Sequence, residues 1–562
     1  MDYRGNPFFL QQEEIAWIEE TLSGMTVEEK IGQLFCLNEQ EFFEAGIDDI
    51  YRLFSPGAVA YRTASVETLV RTTEAYQKRS KIPLLIAANL ESGGTTIVGG
   101  TRLGSPMAVG ATGQEEMARK LGIVCAREGK SVGINWDFGP VVDLAVQAEN
   151  PIVQTRAFSA DAAVVARLGP ACVRTIQEHG MAACIKHFPG DGRDTRDQHL
   201  HPTVNDCSWQ EWERSYGRIY RACIDSGALT CMAGHIAFPA YLQEENRERS
   251  MEDCLPASLS KTLLQGLLRT RLGFNGLITT DSSLMGGFTQ TMPRETALPF
   301  AIAAGCDMLL FLQNPEEDFE AMKAGLKNGI LTEDRLEEAV KRILALKCAL
   351  GLHRGREPIS VADAKEIIGC EEHIRWAKCV ADRAITLVKE EKNVLPLDPV
   401  GKKRVLLIPV ENRVIRGEAE LSAALLQVLT GLRREGMAVR VLDEAMSEEP
   451  AIHSEAFYRE NFDVLLYIAC LEPKVGRTTN RIHWMTKSRV DCPHHIHTVP
   501  TVFISLGNPY HLEDVPRVKT YINTYASNPE TIDLLIEKLM GRSTFKGKSP
   551  VDAFCGRWDT RR

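Results

Sequence analysis

From about residue 55 to 345 the chain repeats one order, a short apolar run and then an amphipathic helical pattern, and this repetition limits the possible folds more than any other feature. The runs are PLLIAANL at 83, GINWDFGPVVDL at 133, MAACIKHF at 181, LTCMAGHI at 229, GLITTD at 276 and DMLLFL at 307. Between them lie segments such as EEMARKLGIVCAREGK and DAAVVARLGPACVRTIQEHG, where apolar residues recur at three- and four-residue spacing, as in a helix with one buried face. Strand then helix, repeated over this length, indicates a parallel sheet and suits a closed eightfold barrel. An open doubly wound sheet is the alternative, because periodicity alone does not show closure.

Polar residues mark the ends of these runs. Asn89, Glu91, Asp143, Lys186, His187, His235 and Asp281 each stand at or just beyond the end of an apolar segment. In an α/β barrel those positions converge on the C-terminal mouth, where chemistry sits.

After residue 350 the pattern changes. GLHRGREPISVADAKEIIG reads as an exposed linker into a long helix, HIRWAKCVADRAITLVKEE. RVLLIPV at 404, a helix around 418–435, AVRVLD at 438, DVLLYIAC at 463, TVFISLG at 501, TYINTY at 520 and a helix near 529–540 follow, predicting a smaller three-layer α/β unit. A second unit agrees with 562 residues, too many for one ordinary core.

Charge and cysteine use narrow the function classes. A formal charge of -10 and a pI near 5.8 leave no basic face for nucleic acid or an anionic membrane, so a neutral small-molecule or polymer substrate fits better. The start MDYRGNPFFLQQEEIAWIEE has no basic segment leading into an apolar run, so neither signal peptide nor membrane span is expected, and the cytoplasm is the default location. Fifteen cysteines, an odd number with no C-x-x-C pair, argue against a disulfide framework or zinc ribbon.

The densest cluster of chemistry is KHFPGDGRDTRDQHLHPTVN at 186–205. Its histidines and aspartates match no compact metal-ligand spacing. Gly190 and Gly192 do not open a helix as a phosphate loop would, and Pro202 opposes one. A solvated turn accounts for Arg193, Asp194 and Arg196 but not for Lys186 and His187 at a strand end. Asp197, two residues before His199, can bond one ring nitrogen and raise the basicity of the other, which makes a general acid/base dyad. Asp281, directly after an apolar strand, can bind a metal, act as a base, attack carbon as a nucleophile, or merely cap a helix.

KHFPGDG with D-x-H, NWDFGPVVDL and TRAFS upstream, and ITTDSSLMGG downstream together resemble the bacterial β-N-acetylglucosaminidases of glycoside hydrolase family 3. The resemblance runs from about residue 15 to the C-terminus and takes in AITLVKEEKNVLPLD and FISLGNPYHL. It implies a TIM-type (β/α)8 barrel over residues 1–355, a linker and connecting helix over 356–385, and an α/β/α sandwich over 386–562. It implies a retaining β-N-acetylhexosaminidase that removes terminal β-linked N-acetylglucosamine through a covalent glycosyl-Asp intermediate. Asp281 corresponds to the nucleophile and His199, with Asp197, to the acid/base. Lys186, His187, Arg156, Glu91 and Asn89 correspond to sugar contacts. No metal or cofactor is implied; the partner is a small carbohydrate, with the oligomeric state open and a homodimer among the options.

Several positions depart from the family pattern. Asp191 stands where many members have His or Asn, Asn89 replaces Asp, Ser92 lies between Glu91 and Gly93, and Thr95 and Thr96 replace an expected arginine. These changes bear on the sugar clamp and leave Asp281, Asp197 and His199 intact. Most retaining enzymes use two carboxylates roughly 5 to 5.5 Å apart. Exchanging one for an Asp-supported His removes a negative charge facing the nucleophile, so an anionic acceptor is less repelled. A β-N-acetylglucosaminide phosphorylase or a β-glucosidase-type enzyme on the same fold is therefore the rival reading, and a non-catalytic carbohydrate-binding protein the remaining one. Cys492, His494, His495 and His497 in DCPHHIHTVP are spaced too tightly to share one ion and read as a surface or domain-interface loop.

Overall fold

The computed structural model describes residues 1–38, 47–245, 254–355, 357–390, 394–401 and 403–561. The chain forms two compact units: Met1–Thr101, Ala118–Leu144 and Ala162–Cys370 make the first, and Arg102–Met117, Ala145–Asp161 and Glu371–Arg562 the second.

The first unit is a closed barrel of eight parallel strands, β1 (Phe35–Asn38), β2 (Ala58–Tyr61), β3 (Leu85–Ala88), β4 (Trp136–Asp137), β5 (Ala182–Phe188), β6 (Thr230–Ala233), β7 (Leu277–Ser282) and β8 (Met308–Leu310). Each pairs with its neighbours in sequence and β1 closes on β8. All eight strands are buried along their length, which is why they read as continuous apolar runs rather than alternating ones. Trp136 fills the interior from β4, and its indole N–H donates to Thr230 Oγ1 at 2.9 Å, two strands away, as alternate strands do in barrel layers. Thr230 Oγ1 in turn donates to the Ala183 carbonyl at 2.9 Å.

The helical segments follow their periodicity, with helices at Glu115–Ser131 and Ala162–Glu178. Side chains cap many of the others: Ser65, Asn314 and Thr332 accept N–H groups at the starts of Val66–Arg79, Pro315–Lys327 and Glu333–Ala349. No described helix is long and apolar enough to cross a membrane.

The second unit holds a six-stranded mixed sheet of β9 (Thr386–Glu390), β10 (Arg404–Val410), β11 (Ala438–Val441), β12 (Val464–Ala469), β13 (Thr501–Ser505) and β14 (Thr520–Asn523), in spatial order β9-β14-β13-β12-β10-β11. One face packs against Ala423–Arg434 and Pro529–Leu539 through Leu425, Val428, Ile532 and Leu535. The other packs under Met446, Ile452, Tyr458 and Phe462, which makes three layers.

Two expectations need correction. HIRWAKCVADRAITLVKEE is not one helix: the helix is Glu371–Ala384, and the chain then enters β9, antiparallel to β14. The β-branched Thr386 and Val388 favour an extended backbone, and the backbone groups of β14 satisfy those of the segment. The stretch expected to be a plain linker contains a helix, Val361–Ile367, whose first turn is capped by Ser360 accepting the Asp363 N–H. β1 and β2, with sequences FCLN and AVAY, were not among the runs recognised, being short and poor in β-branched residues.

Trp136→Phe should lower stability by about 2 to 3 kcal/mol, from the smaller side chain and an unmet bond at Thr230. Thermal unfolding measures the loss, and an unchanged transition would contradict the interior packing described.

Candidate functional site

The C-terminal ends of β3, β4, β5 and β7 bring the predicted polar residues of the first unit together. Asp143, fully buried, follows β4 and organises them: its Oδ1 accepts the backbone N–H of His187 at 3.0 Å and of Asp191 at 2.8 Å, and its Oδ2 accepts the His187 Nδ1–H at 2.7 Å. These bonds fix the His187 tautomer and point Nε2 toward Asp281, whose Oδ2 lies 3.8 Å away.

Asp281 is nearly buried near the end of β7. Its Oδ1 accepts the Ser282 N–H at 2.7 Å, and its buried Oδ2 has no hydrogen-bond partner among the described residues. Burial opposes its charge, but the imidazoles of His187, His235 and His199 and the Ser282 N–H outweigh it and hold the carboxyl below the usual carboxylate range. The result is an ionised carboxylate with one oxygen unengaged, the form a nucleophile needs.

His199 pairs with Asp197 as its spacing predicts: Nδ1 donates to Asp197 Oδ1 at 2.6 Å and the His199 backbone N–H reaches the same oxygen at 2.9 Å. Asp197 is buried, while His199 keeps part of its ring open. Nδ1 being engaged, Nε2 is the nitrogen that can exchange a proton. The dyad loop rests on the turn after β7, where Gly286 and Gly287 donate to the carbonyls of His199 and Gln198 at 2.9 and 3.2 Å. A Cβ on Gly286 would lie 2.1 Å from the Leu200 carbonyl, and one on Gly287 2.6 Å from that of Gln198, so this approach requires the paired glycines.

Lys186, Asn89 and Glu91 also meet. The Lys186 ammonium, nearly inaccessible, contacts Glu91 Oε1 at 2.6 Å and Asn89 Oδ1 at 3.0 Å. The departures in this loop have a structural account: Thr95 and Thr96 donate their hydroxyls to the Asn89 carbonyl at 3.1 and 2.9 Å. Arg156 lies in the second unit, half-buried in the turn Gln154–Arg156.

Three residues of this site have no role assigned from the sequence. Asp137, at the end of β4, accepts the Leu90 N–H at 3.0 Å and so braces the loop carrying Asn89 and Glu91. Burial pushes its carboxyl up to about 7, against the Leu90 bond and Lys186, with Glu91 adding to the rise. Its place at a strand end, like that of Asp281, was the signal available. His235 was recognised only as a strand-end residue. Fully buried, with burial lowering its pKa, it lies 2.8 Å from Ser258 Oγ through Nδ1 and 2.9 Å from the Ser282 carbonyl through Nε2, which fixes the end of β7. Gln198, between the dyad residues, is the third.

His201 contacts Gln290 Oε1 at 3.2 Å and lies on the exposed side of the loop. In the second unit, His494 contacts the Arg489 carbonyl at 2.9 Å and His495 stacks on Tyr458 with ring centroids 3.9 Å apart. The cluster at 492–497 therefore does not converge, and among the described residues no group of side chains is arranged to hold a metal ion.

The raised pKa of Asp137 means that the folded chain holds this proton more tightly than the unfolded chain. The associated stability is full below the unfolded value of 3.8 and is lost as pH rises through about 7. Asp137→Asn keeps an oxygen for Leu90 and has no proton to lose, so its stability relative to wild type should improve from pH 5 to pH 8. Melting temperatures across that range test this, and a constant difference would count against it.

The family profile described as Glycosyl hydrolase family 3 N terminal domain matches residues 26–346. The chain is 43% identical over 562 residues, the full length of both proteins, to a β-N-acetylglucosaminidase/β-glucosidase of Cellulomonas fimi. A β-hexosaminidase of Thiobacillus denitrificans is 33% identical over 242 residues, covering 42% of this chain and 64% of that protein. Among solved structures, a β-glucoside phosphorylase, BglX, superposes over the whole of both chains with a TM-score of 0.94 and 42% identity. A family 3 β-N-acetylglucosaminidase from Paenibacillus sp. str. FPU-7 has the same fold, with a TM-score of 0.76 at 24% identity over 94% of this chain and 99% of that one.

Proposed function

Since the chain belongs to glycoside hydrolase family 3, we propose that it is a retaining β-N-acetylglucosaminidase that also accepts β-glucosides, with Asp281 as nucleophile and His199 as acid/base. The observation that carries this reading is the buried, ionised Asp281 with its Oδ2 unengaged, electrostatically coupled to an Asp-paired histidine.

In the first step Asp281 Oδ2 attacks the anomeric carbon while His199 Nε2–H protonates the departing glycosidic oxygen. Asp197 stabilises the imidazolium that precedes this transfer and the one that follows. In the second step His199, now neutral, takes a proton from water as the oxygen attacks the same carbon, releasing Asp281 with net retention. Lys186, with Glu91 and Asn89, and His187 grip hydroxyls of the terminal sugar. A bond to the sugar that strengthens as its ring flattens lowers the barrier selectively.

A second reading takes phosphate as the acceptor. Two points favour it: the proposed acid/base is an imidazole rather than a second carboxylate, and a structural relative that matches over the full length is a β-glucoside phosphorylase. Phosphate oxygen then attacks the glycosyl-Asp281 carbon in place of water, giving a sugar 1-phosphate.

Asp281→Asn should lower release of phenol from aryl β-N-acetylglucosaminides by about three or more orders of magnitude, since no covalent intermediate can form. His199→Ala should cost about a hundredfold or more on phenols that are poor leaving groups, and far less on 2,4-dinitrophenol, which departs without a proton. Equal damage on both would remove His199 from the acid role. Mass analysis of products with and without phosphate separates the two readings: free sugar alone supports hydrolysis, and sugar 1-phosphate supports phosphorolysis.

A further inference from the structure

We propose that Gln198 is the positioning residue of the acid/base dyad and that Asp191 acts through it. The proposal rests on the reading of His199 as proton donor. Gln198, 1% exposed, sits between Asp197 and His199 with its side chain turned into the protein. Its Nε2–H donates to Asp191 Oδ2 at 3.1 Å, its Oε1 accepts the His235 backbone N–H at 2.8 Å, and its carbonyl accepts the Gly287 N–H at 3.2 Å.

Each partner belongs to another part of the site. Asp191 binds Asp143 through its backbone N–H, and Asp143 holds the His187 ring. His235 binds the Ser282 carbonyl, one residue beyond Asp281. Gly287 belongs to the short helix Gly286–Thr289 that follows β7. One amide side chain and its carbonyl thus tie the dyad loop to the hydroxyl clamp through Asp191 and Asp143, and to the nucleophile strand through His235.

The residue types are specific to this task. An amide presents a donor and an acceptor at once, and here each meets its opposite: the NH2 faces a carboxylate and the oxygen faces an N–H. Asp191 supplies two acceptors, Oδ1 for the Gly192 N–H at 2.6 Å and Oδ2 for Gln198, which a histidine or asparagine at that position does not do in the same way. Its departure from the family pattern is thereby matched to Gln198 rather than to a sugar. General acid catalysis depends on placing Nε2 within hydrogen-bond reach of the leaving oxygen, so a loop free to shift loses proton transfer before it loses binding.

The test uses Gln198→Met, which keeps the volume and removes both bonds, Asp191→Asn, which keeps shape and removes one acceptor, and the double variant. Each is assayed on aryl β-N-acetylglucosaminides and β-glucosides with good and poor leaving groups, beside wild type and His199→Ala, with melting temperatures recorded. Gln198→Met should lose about tenfold to a hundredfold in kcat on poor leaving groups and less than about threefold on 2,4-dinitrophenyl glycosides, with KM little changed. Asp191→Asn should show a smaller loss of the same kind, and the double variant should lose less than the product of the single losses. A loss equal on both leaving groups, or multiplicative losses, would overturn the proposal while His199→Ala retains its leaving-group dependence. If His199→Ala shows no such dependence, or wild type releases no phenol, the reading on which the proposal rests is what fails. Should Gln198→Met not fold, the leaving-group dependence of Asp191→Asn decides alone.

Discussion

The Asp143 carboxylate is the group on which the site depends. It is fully buried and accepts three N–H groups, two from the backbone and one from the His187 ring. A buried carboxylate left unpaired is costly, and those bonds make its burial tolerable. They also dictate geometry, because each donor has a single place to go. The ring of His187 is turned toward Asp281, and the backbone at Asp191 is tied to Asp143 ahead of the loop bearing Asp197 and His199.

Polar groups in the mouth are arranged in complementary pairs. Lys186 is set against Glu91 and the amide oxygen of Asn89, the dyad pairs Asp197 with His199, and Asp281 faces His187. His235 adds a hydrogen bond to the Ser282 carbonyl. Asp137 is the exception, a carboxyl whose burial outweighs its nearby cation. In the proposed mechanism the acid/base is an imidazole rather than a second carboxylate.

The barrel was legible because six of its strands, β3 to β8, are buried and stand out as apolar runs, most of them ending in a polar side chain. Lys186, His187 and Asp281 could be placed at the mouth by that rule alone, and Asp197 with His199 by their two-residue spacing. The bracing groups were less visible. Asp137 works through Leu90, 47 residues away, and Gln198 through Asp191 and His235, 7 and 37 residues away, and no local pattern joins such partners. The segment after Ala384 misled for a different reason: ITLVKE continues a helical apolar spacing, yet its β-branched residues and the pairing with β14 make it a strand. The metal-like run at 492–497 shows the reverse case, a dense cluster whose side chains turn to unrelated partners.

The central claim is that Asp281 forms a bond to the sugar. Incubation with 2-deoxy-2-fluoro-β-glucosyl fluoride, which forms the glycosyl intermediate faster than it releases it, followed by intact-mass measurement and peptide mapping, tests this most directly. The account predicts one added fluoroglucosyl group per chain, located on Asp281 and absent from Asp281→Asn. An adduct on another residue, or no adduct while aryl β-glucoside turnover continues, would contradict it.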